Sequence, residues 1–112
     1  MTEADVKAIV EEAKSYARSK GFVIDSSMTE VGTSWGPELG ITKEFEPGDN
    51  KLYAKQLRDR TDSTYELLRE DWSEMSDEEY AEYRAKKPAH INIFYKYRPN
   101  DSAEPYYIYV VY

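Results

Sequence analysis

The sequence predicts a single α+β domain. Its expected form is an antiparallel sheet of about four strands packed on one face by helices, in the order α-β-β-α-(α-α)-β-β. Three observations carry this. The stretch from Pro88 to Tyr112 holds two runs rich in β-branched and aromatic residues around a cluster of turn formers, the pattern of a hairpin. Apolar residues recur at helical spacing near the N-terminus and again across residues 51–87. Short extended-looking segments, Phe22–Asp25 and Glu38–Glu46, lie between them.

The first helix is expected from Thr2 to Lys20. Thr2 and Asp5 form a weak capping box. Val6, Ile9, Val10, Ala13, Tyr16 and Ala17 fall on one stripe. Arg18 and Lys20 suit the negative end of the helix dipole, and Gly21 suits a left-handed terminator. Phe22 to Asp25 then reads as a strand. Gly32 to Pro37 reads as a loop or strand junction, with Gly36-Pro37 excluding a helix. Glu38 to Glu46 reads as a second strand, with Leu39, Ile41 and Phe45 inward. Pro47 to Asn50 is a turn, and Asp49 or Asn50 can cap the next helix.

Residues 51–87 are read as helical with two interruptions. Leu52, Tyr53 and Leu57 open the apolar stripe, and Tyr65, Leu68, Trp72 and Met75 continue it. Asp62-Ser63-Thr64 is expected to break the helix, because Ser63 and Glu66 have capping-box spacing. Ser76 and Glu79 form a second box that opens a short helix carrying Tyr80 and Tyr83. Trp72 is expected to be buried with Leu68 and Tyr83. Pro88 ends the helix and launches the hairpin.

The hairpin can be read in register. Side chains alternate across a strand, so Ile91, Ile93, Tyr95 and Tyr97 share one face. Pairing Tyr97 with Tyr106 sets Tyr95 against Ile108, Ile93 against Val110 and Ile91 against Tyr112. A slip of one residue would undo every apolar rung. The same register sets Phe94 against Tyr109 and Lys96 against Tyr107 on the second face. That face is too aromatic for a plain solvent face, so something covers it or it binds something.

At 112 residues the chain fits one domain, long enough for a core without staples. It has no cysteine, which excludes disulfides and thiolate metal sites. The acidic N-terminus has no apolar run and no stretch approaches a membrane span, so no signal peptide and a cytoplasmic location are expected. The formal net charge of −7 disfavours free duplex nucleic acid and anionic membranes as partners.

The catalytic inventory is thin. His90 is the only histidine, and it reads as structural. There is no nucleophile elbow and no phosphate loop. No catalytic residue, metal or cofactor is expected. The distinctive charge feature is the run from Glu70 to Glu82. Glu70, Asp71, Glu74, Asp77, Glu78, Glu79 and Glu82 stand there without a lysine or arginine between them. Asp77 to Glu79 suit a helix N-terminus, whereas Glu70, Asp71 and Glu74 lie near a helix C-terminus, where acids are unfavourable.

The segment Trp72-Ser-Glu-Met75-Ser76-Asp-Glu-Glu79-Tyr80-Ala-Glu-Tyr83 resembles the join between the second and third helices of HMG boxes. The resemblance stops at those residues. The basic first helix of that family is missing, and the hairpin that follows is foreign to it. What it implies is a capped helical corner with Trp72 and Tyr83 inside the angle.

Two functional expectations follow. The leading one is a non-catalytic acidic protein that engages a basic protein partner, as an inhibitor or antagonist of a nucleic-acid-binding enzyme would. Its carboxylates would stand in for phosphates before lysine and arginine side chains. The residues expected to bind are Glu70, Asp71, Glu74, Asp77, Glu78 and Glu82, with the isolated Trp35 as an aromatic anchor. The alternative is a single-strand nucleic-acid binder using the second hairpin face, with Phe94, Tyr107 and Tyr109 stacking bases while Lys96 and Arg98 meet phosphates.

Overall fold

The computed structural model of the chain describes residues 3–36, 38–41, 49–99 and 105–112. It is a compact α+β domain. The elements are α1 (Glu3–Ser19), β1 (Val23–Ile24), β2 (Leu39–Ile41), α2 (Asp49–Glu70), α3 (Asp77–Lys86), β3 (His90–Tyr97) and β4 (Tyr106–Val111). The expected roles of Thr2 and Phe45, the rest of the second strand and the turn after it at residues 42–48, and the turn at residues 100–104 lie outside the described residues, while Asp49 and Asn50, expected to cap α2, lie within that helix.

The stripe of α1 is as read. Val6, Ile9, Val10, Ala13 and Ala17 are buried. Tyr16 is only partly buried and donates its hydroxyl to Asp62 at 2.6 Å, which ties α1 to α2. Gly21 follows with φ +92°, a left-handed conformation that glycine adopts without a Cβ clash.

The hairpin register is as read from Tyr97–Tyr106 through Ile93–Val110, and the ladder ends at Asn92–Val111. Tyr112 does not pair with Ile91. It exchanges both backbone hydrogen bonds with Ser34 instead, at 2.9 and 3.0 Å.

The sheet order is β1-β3-β4-β2. The purely antiparallel expectation is corrected to a mixed sheet, because β1 runs parallel to β3. β1 and β2 stand at opposite edges and do not form a hairpin. The long loop between them allows this, since it crosses a sheet face instead of turning tightly.

α2 is one helix, where a break had been expected at residues 62–64. The reason is local. The hydroxyls of Thr61, Ser63 and Thr64 donate to the carbonyls of Leu57, Asp59 and Arg60, at 2.9, 2.9 and 3.0 Å. Hydroxyls turned back onto the preceding turn point away from the amides that a new helix start would leave to be capped. The buried stripe is Tyr53, Ala54, Leu57, Thr61 and Thr64, and Leu52 lies off it, facing solvent.

One core layer lies between the helices and the sheet. Val6, Ile9 and Leu57 meet Ile41, Ile91, Ile93 and Ile108 there. Tyr95 sits at its margin and donates its hydroxyl to the Glu3 carboxylate at 2.6 Å. That bond, with some burial, pushes the Tyr95 phenol up to about 12. A phenol whose pKa rises on folding favours the folded state while it keeps its proton. The contribution is therefore whole below about pH 10 and is lost as pH rises through about 12. Phenolate absorbance should show a late-titrating tyrosine that Glu3→Gln brings back toward the ordinary value. An unchanged titration in that variant would refute the bond.

Candidate functional site

The acidic corner is built by two helix ends. Glu70 closes α2, Asp71 and Glu74 lie in the turn, and Asp77, Glu78 and Glu82 stand on α3. Ser76 caps α3 as read. Its side chain accepts from the Glu79 amide, and the Glu79 carboxylate accepts from the Ser76 amide, each at 3.1 Å. The bond from the Ser76 amide is the main reason the Glu79 carboxyl lies below the ordinary range.

Arg69 makes the turn tolerable. Its Nη1 donates to the Trp72 carbonyl at 2.7 Å, and its Nη2 donates to the Met75 carbonyl at 2.8 Å. The guanidinium also lies 4.6 Å from the Tyr80 ring centre. One cation thus satisfies carbonyls past the end of α2 and fixes α3 against it.

The acids around this staple are mostly unengaged. Asp77 is fully exposed at 3.3 Å from Arg69, and Glu82 pairs with Lys86 one turn along α3 at 3.5 Å. Glu70, Asp71, Glu74 and Glu78 are exposed, and their carboxylates have no hydrogen bond or ion pair among the described residues. Basic residues of α2 are used elsewhere, Lys55 on Asp59 and Arg58 on Glu12.

Trp72 corrects an expectation. It packs on Tyr83, with ring centres 4.8 Å apart, but remains 39% exposed. Leu68 and Trp72 would share a face had α2 continued. The helix ends at Glu70, and the turn carries Trp72 off the stripe.

A scan of known protein families, a search of curated proteins and a search of solved structures each found no match to this chain. The site's meaning therefore rests on its geometry.

The second sheet face is covered by the loop between β1 and β2. Met28 and Phe94 pack against Tyr107, Tyr109 and Val111. The Asn92 side chain donates to the Met28 carbonyl at 2.9 Å and pins the loop down. Trp35 lies edge-on to Tyr109 at 5.2 Å and donates Nε1–H to the Glu30 carbonyl at 3.1 Å. It is part cover and part surface, 40% exposed. It is not on the segment that carries the acidic corner.

This packing occupies the residues of the nucleic-acid reading. Tyr107 and Tyr109 are buried, and Phe94 is stacked on Tyr109 at 5.2 Å. Lys96 bonds to Glu30, whose carboxyl is held below its ordinary range mainly by that contact. Arg98 lies 3.9 Å from the Tyr107 ring centre, donates to the Tyr109 hydroxyl at 2.5 Å and stands 3.7 Å from Glu38. Glu30 and Glu38 were not singled out from sequence. Two acids bracketing a lone tryptophan, and two cations on an aromatic strand face, were the signal available.

His90 is exposed, with Nδ1 3.4 Å from Asp25. Hydrogen bonds from Ser27, with a smaller contribution from His90, hold the Asp25 carboxyl below its usual range. Among the described residues, no group of three or more histidines and acids is placed to hold a metal ion. No described helix is long and apolar enough to cross a membrane.

Proposed function

We propose that this chain is a non-catalytic acidic binding protein that engages a basic protein partner through the corner between α2 and α3. The observation that carries this is a partly exposed Trp72, braced on Tyr83, beside the carboxylates of Glu70, Asp71, Glu74 and Glu78, which have no partner among the described residues. A braced aromatic surrounded by unpaired charge is the usual composition of an interface hot spot with a steering rim. Acids spread over a fixed corner can take the place of nucleic-acid phosphates before lysine and arginine side chains. An antagonist of a nucleic-acid-binding enzyme fits that chemistry best. Base stacking on Tyr107 and Tyr109 has no such support, since both are buried.

The test is capture from the native host with the wild-type chain and with a Glu74→Gln, Glu78→Gln, Glu82→Gln variant. These changes remove charge and keep volume. A basic protein should be held by the wild type and lost by the variant. Its association rate should fall roughly tenfold or more between low and high salt. A partner held equally by both chains, at a salt-independent rate, would sink the reading.

A further inference from the structure

We propose that the pocket between the C-terminal ends of α1 and α2 and one face of α3 binds a small, flat organic acid of the aromatic carboxylate class. The pocket encloses about 560 Å³. That lies within the roughly 300–1,000 Å³ of small-molecule sites. Its walls are apolar and aromatic, formed by Phe22, Tyr65, Leu68, Tyr80, Ala85 and Pro88. Phe22 and Tyr80 each meet Tyr65 edge-on, at 6.3 and 6.4 Å, so the aromatic wall is braced.

Charge decides the ligand class. Lys20, Arg69 and Arg84 line the pocket against the single carboxylate of Asp77. This is a local excess of positive charge in a chain of net charge −7. Arg69 is already committed to Trp72, Met75 and Asp77. Lys20 is held 5.0 Å from the Tyr65 ring centre and 3.5 Å from Asp62, with its side chain 35% exposed. Arg84 donates Nε–H to the Tyr80 hydroxyl at 3.0 Å, and its Nη1 reaches the Lys87 carbonyl at 3.4 Å. Among the described residues its Nη2 has no acceptor. Arg69 spends most of its donors on its contacts with Trp72, Met75 and Asp77, whereas Lys20 and Arg84 keep more of theirs for a ligand carboxylate, and Arg84 presents them in a planar fork. Helix C-termini alone would explain a cation at each end. They do not explain why those cations surround an open aromatic pocket. The site shares Arg69 and Asp77 with the acidic corner, but its ligand has the opposite charge to the basic partner and meets Lys20 and Arg84, which the corner does not use.

The probe is naphthoate, with naphthamide as its uncharged counterpart, titrated into the full chain and followed by amide chemical shifts. Naphthoate should shift Gly21, Phe22 and Tyr80 saturably, and naphthamide should bind at least tenfold more weakly. The Lys20→Gln, Arg84→Gln double variant should weaken naphthoate binding at least tenfold. Ala85→Phe, which fills the pocket and keeps both cations, should weaken both probes. It decides the matter should the double variant fail to fold. Absence of saturable shifts at these amides, equal affinity for acid and amide, or full binding by Ala85→Phe would each overturn the proposal.

Discussion

Replacing Tyr109 by alanine is expected to destabilise the fold by about 3–5 kcal/mol, the range for deleting a large buried aromatic side chain. Tyr109 is 4% exposed and is the hub of the second sheet face. Trp35 meets its edge, Phe94 stacks on its plane and Arg98 donates to its hydroxyl. Removing the ring leaves Trp35 and Phe94 without their shared partner and loosens the loop from the sheet. Tyr109→Phe separates the two contributions. It keeps the ring and should cost only about 0.5–1.5 kcal/mol, the net worth of one hydrogen bond. Chemical denaturation measures both. A Tyr109→Ala midpoint close to that of the wild type would mean that the loop does not cover this face, and the stacking surface would then be open to a ligand.

That prediction depends on a cover the sequence does not announce. The hairpin register was legible because alternation and apolar matching are local and admit one solution. The aromatic second face was legible as one that is either covered or binds something, and the sequence did not choose between the two. What covers it was hidden, because Met28 and Trp35 lie on an aperiodic loop far from it in sequence. The parallel pairing of β1 with β3 was hidden for a related reason. Two-residue strands carry little pattern, and their partner is set by where α1 packs. At Ser63 the sequence offered a capping box, yet the hydroxyl bonded back to Asp59 and the helix ran on. The corner at Ser76 was legible because there both halves of the box formed. Its acids were legible as a run, but their lack of partners needed the fold. So did Trp72, whose helical spacing suggested burial and whose position past the end of α2 prevents it.

Trp72→Ala should therefore act on binding and much less on stability. Its contact with Tyr83 is worth about 0.5–1.5 kcal/mol as an aromatic pair. Its loss should move the denaturation midpoint only modestly, far from the cost of a buried tryptophan. Affinity for the basic partner should fall by about 2 kcal/mol or more, the threshold for a hot spot. That corresponds to roughly thirtyfold in Kd. The loss should appear mainly as faster dissociation, since a desolvated aromatic contact holds a complex after it has formed. The glutamine variants at Glu74, Glu78 and Glu82 should slow association instead. The two sets of substitutions are therefore separable on one instrument that resolves both rates. If Trp72→Ala lowered stability by several kcal/mol and left the dissociation rate unchanged, the exposed ring would be a structural plug. The acidic residues alone would then have to carry recognition.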